Sequence, residues 1–133
     1  MKKYLVFLLV TLVVCFSVTS CVNNTQTIQA EANAANRQCP QDLGNGLTLT
    51  KVDFEGRYVV YYIKGTEDMS FCQDDATPEM KYQIVRTLQI QAQNNESMKK
   101  FIEALKKENI GVLYHYYTSS DQVMNIVVEA EDL

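Results

Sequence analysis

The chain predicts an α+β domain: an antiparallel four-stranded sheet in β-β-α-α-β-β order, with both helices packed on one face. Three observations lead there. Two apolar runs, 47–54 and 57–64, meet at a glycine turn, and a second pair, 112–118 and 122–130, meets at Ser119-Ser120-Asp121. Between them, apolar residues recur every three or four positions, the period of a helix. Neither hairpin can bury a face alone, so one sheet with the helices on one side is the economical solution.

At 133 residues, 47% hydrophobic and 21% charged, the chain suits a single folded unit and is too apolar for disorder. Its formal charge of −4 lacks the basic footprint of a general nucleic-acid binder. No nucleic acid is expected as a partner.

Lys2 and Lys3 precede an almost unbroken apolar run from Tyr4 to Val18, the layout of a secretory signal. The run falls short of the roughly 20 apolar residues that a helix needs to cross a bilayer. Val18-Thr19-Ser20-Cys21 resembles the lipobox of bacterial lipoproteins. That resemblance implies a diacylglyceryl group on the Cys21 thiol, cleavage before Cys21, and acylation (palmitate or a similar chain) of the new amine. Two or more acyl chains hold a protein stably where one does not. The implied organisation is a signal peptide over residues 1–20, a lipidated cysteine with a flexible tether over 21–38, and one α+β domain over 39–133. Losing residues 1–20 removes two lysines and no acid, which takes the formal charge from −4 to −6. Attachment would then rest on the lipid rather than on a basic patch.

The tether assignment rests on composition. Residues 22–38 are rich in Asn, Gln, Thr and Ala, with Val22 and Ile28 as the aliphatic residues larger than alanine. Beyond them, Gly44-Asn45-Gly46 is a turn, and a second turn at Glu55-Gly56 joins the first two strands. The apolar phase shifts between Leu47/Leu49 and Val52/Phe54, which predicts a bulge. Thr77-Pro78-Glu79 starts a helix, with a capping hydroxyl, a first-turn proline and an acid at the positive dipole end. Met80, Ile84, Leu88 and Ala92 give it one apolar stripe, and Asn94-Asn95 breaks it. Met98, Phe101, Ile102 and Leu105 stripe a second helix that ends at Asn109 and Gly111.

Chemistry-bearing residues are few. Cys39 and Cys72 are the thiols left once Cys15 leaves and Cys21 is lipidated. In an oxidising compartment they either form a disulfide, closing a loop worth roughly 3 to 4 kcal/mol, or leave Cys72 free. A free Cys72 with His115 is the one conceivable nucleophile and base, the basis of an alternative reading as a small secreted thiol enzyme. No CxxC occurs, and one histidine with two cysteines falls short of a structural zinc site, so no metal and no cofactor are expected. Asp68, Asp74 and Asp75 do not follow the spacing of a calcium loop.

Seven of the eight tyrosines lie beyond residue 20, and six of those fall on expected strands, so some must face water from the uncovered side of the sheet. Strand parity groups Tyr58 with Tyr62 against Tyr61, and His115 with Tyr117 against Tyr114 and Tyr116. Tyr61 shares its side with Val59 and Ile63, which marks Tyr58, Tyr62 and Tyr117 as the open patch and a candidate binding surface.

The stretch 39–50, with Val52, Phe54-Glu55-Gly56 and Val59-Val60-Tyr61, is similar to small lipoproteins of gut Bacteroidota. The resemblance covers about a quarter of the chain and carries no active site. Together these readings imply a lipid-anchored protein of the cell envelope, at the outer membrane of a Gram-negative bacterium. It would bind an envelope protein, a peptide or a glycan without catalysing a reaction.

Overall fold

The computed structural model describes residues 23–66 and 78–133. The strands are β1 (Gln41–Gly44), β2 (Leu47–Glu55), β3 (Tyr58–Lys64), β4 (Gly111–Tyr117) and β5 (Val123–Val128), and the helices are α1 (Asn24–Arg37), α2 (Pro78–Asn94) and α3 (Glu96–Glu108). A short 3₁₀ turn, Ala130–Asp132, follows β5. The five strands lie in sequence order across one sheet, and the helices line up over it as α1, α3, α2, with α1 on β2 and α2 on β5.

This overturns the four-stranded antiparallel β-β-α-α-β-β expectation on three counts. An extra strand, β1, pairs antiparallel with β2 across Asn45-Gly46, whose φ angles of 53° and 79° allow a tight turn. An extra helix, α1, precedes it. The sheet is also mixed, because β3 and β4 run parallel from Tyr58↔Gly111 to Lys64↔Tyr117. The cause of the parallel pair is visible at the end of α3. Asn109 closes that helix in the left-handed conformation, and the N–H of Gly111 then donates to the carbonyl of Arg57 at 2.8 Å. The chain therefore enters β4 at the end where β3 begins. Gly111 has no room for a side chain: a Cβ there would lie 2.7 Å from the carbonyl oxygen of Val128 and 2.8 Å from the Tyr58 ring.

Helix α1 occupies residues expected to be a flexible tether. Asn23 caps it by accepting from the Gln26 N–H at 2.8 Å, and Ile28, Ala32 and Ala35 are buried in the core. Alanine is the best helix former, and its small side chain lets the helix lie close to the sheet. Asn36, near the C-terminal end of α1, meets the sheet. Strand β1 begins opposite Leu49 and leaves the rest of β2 uncovered on that side, where the N–H of Val52 donates to Asn36 Oδ1 at 3.0 Å.

The remaining elements follow their patterns. The register of β2 slips between Leu49 and Lys51, where the phase shift placed a bulge. Met80, Ile84 and Leu88 are the buried stripe of α2, and Met98, Phe101, Ile102 and Leu105 that of α3. The turn into β3 centres on Gly56-Arg57, one residue later than expected, with Glu55 opposite Tyr58. Among the described residues, no helix is long and apolar enough to cross a membrane.

Candidate functional site

The core side of the sheet is read from alternate residues. Val59, Tyr61 and Ile63 of β3, Val112, Tyr114 and Tyr116 of β4, and Met124, Ile126 and Val128 of β5 are all buried beneath the helices. Tyr61 and Tyr114 stack there with ring centroids 5.4 Å apart. Glu31 of α1 is buried with them, and loss of water pushes its carboxyl up to about 8. Burial of the Tyr61 ring, and then the charges of Tyr114 and Glu31, hold the Tyr61 hydroxyl well above the usual phenol range.

The opposite parity builds the open face. Register brings Lys51, Tyr62, His115 and Asn125 into one line across β2, β3, β4 and β5. The Lys51 ammonium lies 5.4 Å from the Tyr62 ring centroid. The Tyr62 ring meets His115 edge-on at 5.5 Å, His115 stacks on Tyr117 at 5.7 Å, and His115 Nδ1 shares a hydrogen bond with Asn125 Oδ1 at 2.6 Å. Tyr117 Oη and Thr50 Oγ1 are hydrogen-bonded at 2.8 Å, at the bulge of β2. Alongside runs an apolar line, Val60, Leu113 and Val127.

Acids tune this face from its margins. Tyr62 donates to Glu55 Oε2, which pushes its phenol up to about 12. Tyr58 donates to Glu129 Oε1 at 2.7 Å, and that carboxylate raises the Tyr58 phenol. Both hydroxyls are thus kept protonated on half-exposed rings, as donors already in use. The open face offers ring surface more than free hydroxyls.

Tyr58, Tyr62 and Tyr117 therefore share one face, with Tyr62 and Tyr117 joined through His115 and Tyr58 at the margin with Glu129. The sequence reading missed three members: Lys51, Thr50 and Asn125. Register supplies them, and register is set by the bulge and by the parallel pairing.

Other singled-out residues separate. Cys39 is half-buried at the end of α1, where its thiol lies 3.5 Å from the Ala35 carbonyl oxygen and burial raises it. Cys21, Cys72, Asp68, Asp74 and Asp75 lie outside the described residues, as does the Thr77 cap. The partner seen for His115 Nδ1 is Asn125 and not a thiol. Among the described residues, no group of His, Cys, Asp and Glu is arranged to hold a metal ion.

The architecture so assembled, among the described residues, is a two-layer α/β unit, three helices on one face of a five-stranded mixed sheet and a half-exposed aromatic face behind. Solved structures share it. The type II secretion system pilotin AspS from Vibrio cholerae aligns at a TM-score of 0.53 and 13% identity, covering 83% of this chain and 92% of its own. The type 2 secretion system pilotin EpsS from Vibrio vulnificus aligns at 0.52 and 12%, covering 82% and 93%. No protein-family model and no curated protein sequence matches the chain.

Proposed function

We propose that this chain is a lipid-anchored protein of the Gram-negative cell envelope, held at the outer membrane by lipid on Cys21, and that it works by non-catalytic binding. The observation that carries the reading is the fold shared with two pilotins over nearly their whole length, 92% and 93%. A chain with that fold and a lipobox-like Val18-Thr19-Ser20-Cys21 fits a small envelope adaptor, and the similarity to Bacteroidota lipoproteins points to the same compartment. The binding surface of this reading is the open face around Tyr58, Tyr62 and Tyr117, where rings immobilised by hydrogen bonds lose little entropy on meeting an envelope protein, peptide or glycan. An oxidising compartment also favours the Cys39–Cys72 disulfide.

Metabolic labelling with a clickable fatty acid tests the anchor, and crosslinking from a photoreactive residue at position 117 in native membranes tests the surface. Wild type should take label, Cys21→Ser should not, and a discrete crosslinked species should appear for the anchored protein. Equal labelling of both forms, or no crosslink in labelled protein, would refute the corresponding half. Alkylation without reductant that modifies both Cys39 and Cys72 would rule out the disulfide.

A further inference from the structure

We infer that the outer edge of β5 takes up an extended segment of a partner protein as a sixth strand, and that this segment alternates apolar residues between basic flanks. The inference rests on the chain being a binding module and adds the edge of the sheet to its open face as a second place of contact.

The two edges of this sheet are not alike. Strand β1 has four residues, follows Pro40, carries Asp42 and is broken by a register shift between Asp42 and Gly44. Short length, proline, charge and irregularity are the devices that keep an edge from pairing with another chain. Strand β5 reads Val-Met-Asn-Ile-Val-Val over six residues, paired with β4 without a slip and lacking charge, proline or bulge. An edge of that kind is a template for strand addition.

Its free hydrogen-bonding groups can be assigned. The Thr118 N–H donates to the Gln122 carbonyl at 3.0 Å, so the mutually bonded pairs further along are Tyr116 with Met124, Tyr114 with Ile126 and Val112 with Val128. The β3 side agrees: Gly65 N–H donates to the Tyr117 carbonyl and Gly111 N–H to that of Arg57, so odd-numbered β4 residues bond toward β3. The N–H and C=O groups of Val123, Asn125 and Val127 therefore point away from the sheet, and among the described residues β5 pairs with β4 alone.

Exposed apolar side chains flank this edge on both sides of the sheet. Among the described residues the large hydrophobics left in water are Tyr82, Ile90 and Val123, 63, 46 and 48% exposed. Val123 opens β5 on the open face of the sheet, and the other two lie on α2, the helix that packs on β5 from the opposite side. Lys81 binds Asp132 at 2.8 Å and pins the first turn of α2 just past the end of β5, so its later turns run back along the strand. A cleft of about 600 Å³ runs along α2 to Asp132, lined by Tyr82, Val85 and Ile90 and by the cation Arg86 among others, on the side of the helix turned away from the buried Met80, Ile84 and Leu88.

Charge selects the occupant. Asp121 lies before β5 and Glu129 and Glu131 lie after it, on a chain of formal charge −4. In a twofold antiparallel pairing of β5 with a second copy, Asp121 would fall beside the partner's Glu129 and Glu131, and like charges across a strand pair repel. A foreign segment with lysine or arginine at both ends meets attraction instead.

The probe is a labelled synthetic peptide of alternating valine and threonine with lysines at both ends, titrated against the full chain by fluorescence anisotropy and followed by hydrogen exchange. Wild type should bind, and the amides of Val123, Asn125 and Val127 should exchange fast in the free protein and slow with peptide. Asn125→Pro removes one outward N–H without touching the β4 ladder and should weaken binding by about tenfold or more, one lost hydrogen bond to an ordered edge. Asn125→Ser, which also loses the His115 contact but keeps the N–H, should bind several-fold more tightly than Asn125→Pro, and the difference isolates the N–H from the side chain. Equal melting temperatures for the two variants would show that the fold is intact. The inference fails if wild type does not bind, if the three amides are already protected without peptide, or if the free chain is a dimer that Asn125→Pro dissociates. It also fails, leaving the open-face reading in place, if Tyr62→Ala or Tyr117→Ala abolishes peptide binding while Asn125→Pro does not.

Discussion

Tyr61 and Tyr62 are neighbours in sequence and live in different media. Tyr61 is buried under the helices against Tyr114, next to the Glu31 carboxyl. Tyr62 lies on the open side between Lys51 and His115, its hydroxyl given to Glu55. One peptide unit separates a ring that fills volume from a ring that presents surface. The residue type alone does not assign the role; the pleat does, because it turns successive side chains to opposite faces.

The largest test of that contrast is truncation. Tyr114→Ala, on the buried side, should lose about 3 to 5 kcal/mol, as truncation of a packed aromatic residue does. Tyr62→Ala should lose about 1 kcal/mol or less. Chemical denaturation measures both, and losses of similar size would erase the distinction between the faces.

A second test uses pH. Glu31 keeps its proton to about 8 in the folded protein against an unfolded value near 4.5. A carboxyl raised on folding means that the native state binds the extra proton, so its contribution is intact below 4.5 and is lost as pH climbs to about 8. Within that window stability should fall by up to roughly 1.4 kcal/mol per pH unit, then level off. Glu31→Gln should flatten this fall, read from denaturation midpoints across the range. An unchanged slope in the variant would mean that Glu31 is solvated.

The smallest effect lies on the open face. Tyr117→Phe keeps the stack on His115 and drops the hydrogen bond to Thr50, so thermal melts should report a loss near 1 kcal/mol. A loss as large as that of Tyr114→Ala would make Tyr117 part of the core.

Six elements were readable in advance although the sheet they build was not, and the misses have separate causes. Strands β2 to β5 and helices α2 and α3 carry large apolar residues at regular spacing, and even the β2 bulge left its mark as a phase shift. Helix α1 buries Ala32 and Ala35, whose small side chains barely register in a hydrophobic pattern although they pack closely. Strand β1 is too short for an alternation to show. The parallel junction was illegible for another reason: two well-formed hairpins say nothing about how they meet, and that is decided by where α3 delivers the chain to Gly111. The open face was therefore half legible. Parity within a strand separated Tyr58, Tyr62 and Tyr117 from Tyr61, while Lys51 and Asn125 join His115 through the pairing between strands.

Helix α1 also changes the mechanics of any anchor. Two residues, Val22 and Asn23, separate Cys21 from the first residue of α1, in place of a seventeen-residue leash. A span that short reaches at most about 10 Å even when straight. With lipid on Cys21, the domain would ride at the headgroup level like a buoy on a short chain, sweeping a small volume instead of a wide hemisphere. A partner rooted in the same membrane would then meet it at high effective concentration, while one tethered deeper in the periplasm would stay beyond its arc.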